Sequence, residues 1–97
     1  MAAKVPYDYE EITVGATAVG LTAAKFEAWR DYNPEALVHV SGAAICYRLD
    51  GGTPTADTAN YLEDGDVLWL EGYEALTKFR AIRRDTISAL IGVTYYR

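Results

Sequence analysis

Five carboxylates, Asp50, Asp57, Glu63, Asp64 and Asp66, fall in two polar stretches, and a calcium ion takes oxygen donors in about that number. Their spacing matches no EF-hand loop, so they would hold calcium only if the two loops met at one end of a folded domain. The simpler reading makes Asp50, Asp64 and Asp66 turn formers in water. His39 is the single histidine, and acid–base or nucleophilic work would require an orienting partner and a nucleophile within reach. Nothing near it in sequence supplies them, and Ser41 lies on its face merely by alternation, so His39 reads as an outward strand residue. Cys46 is the single cysteine and has no base near it in sequence; it reads as an inert, half-covered thiol. One thiol makes neither an internal disulfide nor a thiolate metal centre. The expectation is a protein without catalytic residues, cofactor or metal.

The aromatic residues are the more telling set. Tyr7, Tyr9, Trp29, Trp69, Tyr73 and Tyr96 are the candidates for a protein interface. Trp69 lies between Leu68 and Leu70 in a strand whose two apolar faces cannot both belong to one small core. One face therefore needs a cover, either the connection over residues 23–33 or a neighbouring subunit, and both remain open at this stage. A row of aromatics also suits stacking on sugar rings.

The elements that position these residues read as strands and tight turns. In the segment 44–49, Ile45, Tyr47 and Leu49 alternate with Cys46 and Arg48. The strand ends at Asp50-Gly51-Gly52, where the carboxylate bonds the backbone two residues on and Gly51-Gly52 supply positive φ; Thr53-Pro54 then keeps the chain extended. Further strands are expected over 11–14, 18–22, 37–41, 67–70, 79–83 and 87–96, with Gly42-Ala43 as a hairpin joining 37–41 to 44–49. In the last strand Ala89, Ile91, Val93 and Tyr95 share one face. Residues 23–33 contain good helix formers with Phe26 and Trp29 three apart, and read as a long connection holding a helical turn that ends at Asn33-Pro34. Residues 73–78 read as a short crossover turn. Residues 1–10 read as an extended arm, with the domain proper over 11–97. About seven strands at this spacing predict an all-β protein, a single immunoglobulin-like antiparallel sandwich.

At 97 residues the chain holds one core and no second domain. Its net charge of −5 argues against nucleic acid as main partner, because phosphate neutralisation needs clustered cations. Arg80, Arg83 and Arg84 do gather, but beside Glu71, Glu74 and Asp85 they read as a paired, solvated face. No signal peptide or membrane-spanning run is visible, so the chain is expected to be made in a cytoplasm and to work as a complete polypeptide.

Two resemblances rest on these strand and turn motifs. The run Ala44-Ile45-Cys46-Tyr47-Arg48-Leu49-Asp50-Gly51-Gly52-Thr53-Pro54-Thr55, with Tyr61, Phe79-Arg80-Ala81-Ile82 and Ser88 downstream, is similar to the immunoglobulin-like C-terminal module of chitobiase-type glycosidases. That resemblance covers residues 38–96 and implies a non-catalytic fold. The second covers nearly the whole chain. Ile12-Thr13-Val14-Gly15, Ala18-Val19-Gly20-Leu21-Thr22, the Leu49-to-Thr55 segment, Gly65-Asp66 and the closing Val93-Thr94-Tyr95-Tyr96-Arg97 resemble small proteins encoded among tailed-phage structural genes. Residues 23–35 share no pattern with them.

The second resemblance implies a minor virion component, a capsid decoration (cement) protein on the outer capsid surface. Its partners would be the major capsid protein or other virion proteins, with the chain itself a homo-oligomer such as a trimer. The alternative implied by the first is a carbohydrate-binding or host-attachment module on a tail or spike.

Overall fold

The computed structural model describes residues 4–97 and is an all-β sandwich of seven strands in two antiparallel sheets. In chain order the strands are β1 (Pro6–Val14), β2 (Glu35–Ser41), β3 (Ile45–Arg48), β4 (Tyr61–Leu62), β5 (Val67–Glu71), β6 (Arg80–Arg83) and β7 (Ala89–Tyr96), with one short helix, α1 (Tyr73–Lys78), between β5 and β6. The larger sheet runs β1-β7-β2-β5 and the smaller β4-β3-β6. The pairs β2–β5 and β3–β6 have the places of strands B–E and C–F in an immunoglobulin domain, whereas the last strand here lies between β1 and β2.

The core follows from two alternating strands at the centre of the larger sheet. Ala89, Ile91, Val93 and Tyr95 of β7 and Ala36, Val38 and Val40 of β2 all point inward and are buried. Ile45 and Ala81 answer from the smaller sheet, and Leu76 of α1 and Phe79 close one end. Two 3-10 turns, Ala23–Lys25 and Glu27–Tyr32, hold Phe26 between them and press it into the sandwich beside Tyr95, with ring centroids 6.0 Å apart. Asn33 ends this segment at φ 54°, a left-handed conformation that an Asn tolerates better than most residues.

Several expectations are corrected. From Pro6 onward the expected arm is the first half of β1, laddered to β7 from Pro6↔Tyr96 to Val14↔Ala89; residues 1–3 lie outside the described residues. Its polar side chains are held by distant partners, Asp8 by Lys25 and Glu10 by Thr22 and Tyr95. The strand expected over 18–22 reduces to one bridge, Val19 to Ala81, because this short run only caps the edge of β6. Gly42-Ala43 does not make a hairpin. Both flanks of β2 are taken by β7 and β5, so the chain crosses to the other sheet before β3 begins.

The Asp50 turn forms, with the expected positive φ at Gly51 but not at Gly52. Asp50 Oδ1 accepts the Gly52 N–H at 3.0 Å, and Gly51 sits at φ 84° with its own N–H donated to the Lys78 carbonyl at 3.1 Å. Gly52 has ordinary φ, and its need for glycine is space: a Cβ there would fall 2.5 Å from the Arg48 guanidinium.

Candidate functional site

The register of the larger sheet lines up its outward side chains in rows across all four strands. One row is Tyr9, Thr94, Leu37 and Trp69; the next is Glu11, Gly92, His39 and Val67. Tyr96, Glu35 and Glu71 flank the first row, and Leu90 and Ser41 extend the second. Nothing among the described residues covers this face. Val67 is 56% exposed, Tyr9 52%, Trp69 40% and Leu90 37%. Scattered apolar residues are ordinary on a surface, but here the register sets Trp69 beside Leu37 and Tyr96, with Tyr9 and Val67 on the same outer face.

The face is built to hold its shape. Trp69 Nε1 donates to Glu35 Oε1 at 2.7 Å, and its ring lies against Tyr96 with centroids 4.9 Å apart. Lys4 Nζ pairs with the other Glu35 oxygen at 3.5 Å. Tyr9 lies across Gly92, where a Cβ would meet its hydroxyl at 2.7 Å, and the hydroxyl donates to Glu11 at 3.1 Å. The glycine is the reason the tyrosine can lie flat. Both large rings therefore keep one orientation before any partner arrives, which lowers the ordering cost of binding.

The six interface candidates divide in two. Tyr9, Trp69 and Tyr96 share the outer face of the larger sheet. Tyr7, Trp29 and Tyr73 do not; they belong to the packing around Phe26 at the end of the sandwich. Tyr7 donates to the Lys25 carbonyl at 2.6 Å and packs on Trp29 at 5.6 Å, over which the Arg97 guanidinium sits at 4.4 Å. Tyr73 meets Phe26 at 5.7 Å, donates to Glu27 at 2.6 Å and lies under the Arg30 guanidinium. The connection over residues 23–33 thus covers the sandwich end and leaves the Trp69 face open.

The other candidates have local structural duties. Asp64 accepts the Gly42 N–H at 3.0 Å and Asp66 the Glu63 N–H at 2.8 Å. Asp50 is clamped by Arg48, whose bond, with that of Gly52 N–H, lowers the carboxyl to about 2. No three His, Cys, Asp or Glu groups among the described residues are placed to share a metal ion. His39 is exposed on the outer face, as alternation places it. Cys46 is fully buried rather than half-covered, since β3 is the central strand of its sheet and the loop after Thr55 closes over it; its Sγ lies 3.6 Å from the Ala56 carbonyl, and burial pushes the thiol up.

Among the described residues, the arginines of the smaller sheet make no ion pair with Glu71, Glu74 or Asp85. Arg80 donates to the Thr77 and Phe79 carbonyls and Arg84 stacks over Tyr61 at 3.8 Å. Beside that stack is an open hollow of about 560 Å³ lined by Asp57, Thr58 and Asp85.

The sequence left out Glu35, Leu37, Val67 and Leu90 from the candidate surface. Their signal is the register, which aligns them with Trp69 only once β2, β5 and β7 are paired. No helix among the described residues is long and apolar enough to cross a membrane. Compared with known proteins, the chain matches no family model, no curated protein and no solved structure.

Proposed function

We propose that this chain is a non-enzymatic structural protein of a phage virion, a capsid decoration (cement) protein that docks on the outer capsid surface and bridges neighbouring capsid subunits. The observation that carries the docking is the uncovered, pre-ordered face around Trp69, Tyr96 and Tyr9. The virion setting rests on the resemblance of the strand and turn motifs to small tailed-phage structural proteins. Four strands about 4.8 Å apart and about 23 Å long give this face a projected area of roughly 450 Å². One partner contributes about 800 Å² to a standard interface. A stable attachment through this face therefore takes a second contact, which suits a homo-oligomer, such as a trimer, seated across a junction between capsid subunits.

The layout of the aromatics favours this reading over the carbohydrate-binding alternative. A sugar site gathers its aromatics and polar groups in a concave groove or at a loop end, whereas Tyr9, Thr94, Leu37 and Trp69 form a row across an open sheet. An electron cryo-microscopy map of the assembled particle tests the proposal. The expected result is density for the sandwich outside the shell with β1, β7, β2 and β5 turned toward capsid protein. Particles assembled with the chain present and lacking that density would refute it.

A further inference from the structure

A sheet edge is a row of unpaired main-chain donors and acceptors that takes up extended chain unless it is blunted. Three of the four edges here are blunted. β1 has an irregular register between Pro6 and Asp8 and turns the charged Glu10 inward, where Thr22 and Tyr95 hold it. β6 is already occupied: Val19 and Ala81 exchange two main-chain bonds of 2.8 Å, and Arg83 N–H donates to the Gly15 carbonyl at 3.0 Å. β4 is only two residues long. β5 has no such device. Its five residues contain no proline and no inward charge, with Leu68 and Leu70 inside and Val67, Trp69 and Glu71 outside.

The ladder decides which groups face the open side. Val40 N–H donates to the Asp66 carbonyl at one end of β5, and Gly72 N–H to the Pro34 carbonyl at the other, both at 2.9 Å. Bonded and non-bonded pairs alternate in an antiparallel ladder, so Leu68 and Leu70 bond β2, and the N–H and C=O groups of Val67, Trp69 and Glu71 point away from it. No main-chain bond joins those three to described residues outside the ladder.

We propose that β5 accepts an extended, basic segment of a partner protein as a fifth strand of the larger sheet. Charge selects the occupant. Asp64 and Asp66 precede the edge, Glu71 ends it and Glu74 follows it, and the chain carries −5 overall. A second copy pairing antiparallel with β5 would bring the Asp66 end of each chain onto the Glu71 end of the other, setting like charges together at both ends. A segment with Lys or Arg at its ends and a β-branched residue beside Trp69 meets both acidic ends and the ring. Main-chain bonds supply affinity in this mode, and the alternate side chains supply selectivity. The inference rests on the docking reading above only in taking a protein as the partner.

Amide exchange followed by NMR on the whole chain, with a short blocked peptide of alternating lysine and valine as probe, tests it. In the free protein the amides of Val67, Trp69 and Glu71 should exchange at least about tenfold faster than those of Leu68 and Leu70, and the peptide should slow those three by about tenfold. A glutamate–valine peptide should leave them unchanged. Val67→Pro removes one outward donor without touching the β2 ladder and should weaken peptide binding at least about tenfold, whereas Val67→Ala should bind as the parent does. Absence of binding at millimolar peptide, or binding that leaves the three amides fast, would overturn the proposal. Slow exchange in the free protein that strengthens with protein concentration would also overturn it, by assigning the edge to a second copy. Particle attachment retained by Val67→Pro and lost by Trp69→Ser would reject the edge and leave the docking face standing.

Discussion

Tyr95→Phe removes one hydroxyl from the inner face of β7 and leaves the ring, with its contacts to Phe26 and Tyr7, in place. Tyr95 is fully buried, and its hydroxyl donates to Glu10, which also accepts from Thr22 Oγ1 at 2.7 Å and Thr22 N–H at 3.3 Å. An ordinary hydrogen bond contributes about 0.5–1.5 kcal/mol and one to a charged acceptor about 1.5–3 kcal/mol; because Glu10 keeps two other donors, the loss should fall where the two ranges meet, about 1–2 kcal/mol. In a domain of this size that lowers the thermal midpoint by roughly 4–16 °C. The pH dependence gives a second reading. Burial, then the bond to Glu10, raises the Tyr95 hydroxyl far above its ordinary 10.0. The unfolded chain releases this proton near its ordinary value while the folded chain keeps it, so the contribution is whole below pH 10.0 and declines as pH rises beyond it. Thermal melts from neutral to alkaline pH should therefore show a steeper loss in the parent than in Tyr95→Phe. A variant as stable as the parent at neutral pH, with the same alkaline slope, would refute the claim that this hydroxyl ties β7 to β1.

Gly51→Val should destabilise by about 1–2 kcal/mol in denaturant unfolding, because the position sits at positive φ. Gly52→Ala should cost less, since the exposed Arg48 side chain can swing aside. Asp50 is held near 2 by Arg48 and the Gly52 N–H, so its contribution is present above the ordinary value of 3.8 and fades as pH falls through about 2; Asp50→Asn should flatten acid unfolding in that window. The Cys46 thiol should resist an aromatic disulfide reagent in the native protein and react at once in denaturant, in keeping with its burial and raised pKa.

The strands that alternate strictly were readable in the sequence. In β7 the buried set Ala89, Ile91, Val93 and Tyr95 is the set that spacing alone assigns, and in β2 Val38 and Val40 behave likewise. What spacing does not carry is partner choice. Asp8 and Glu10 look like solvated residues of an arm until Lys25, Thr22 and Tyr95 arrive from elsewhere in the chain. Cys46 alternates with Ile45, yet both are buried, because a loop closes over the second face of β3. The run at 18–22 has strand-like composition but meets the sheet at Val19 alone. For the candidate site, Trp69 was visible as a residue in want of a cover. Its setting among Tyr96, Leu37 and Tyr9, and the separation of Tyr7, Trp29 and Tyr73 from it, depend on a four-strand register that no local pattern encodes.

The docking face is tested most directly by comparing Trp69→Ser with Ile91→Ser in thermal unfolding and in co-sedimentation with capsids that lack the chain. Trp69 is 40% exposed and Ile91 fully buried, so Ile91→Ser should lower the midpoint far more. Trp69→Ser should remain folded and lose about 2 kcal/mol or more of binding, roughly thirtyfold in affinity, as expected for an aromatic anchor. Full retention of capsid binding by folded Trp69→Ser, or loss of its fold to the extent seen with Ile91→Ser, would contradict the assignment of this face to a partner.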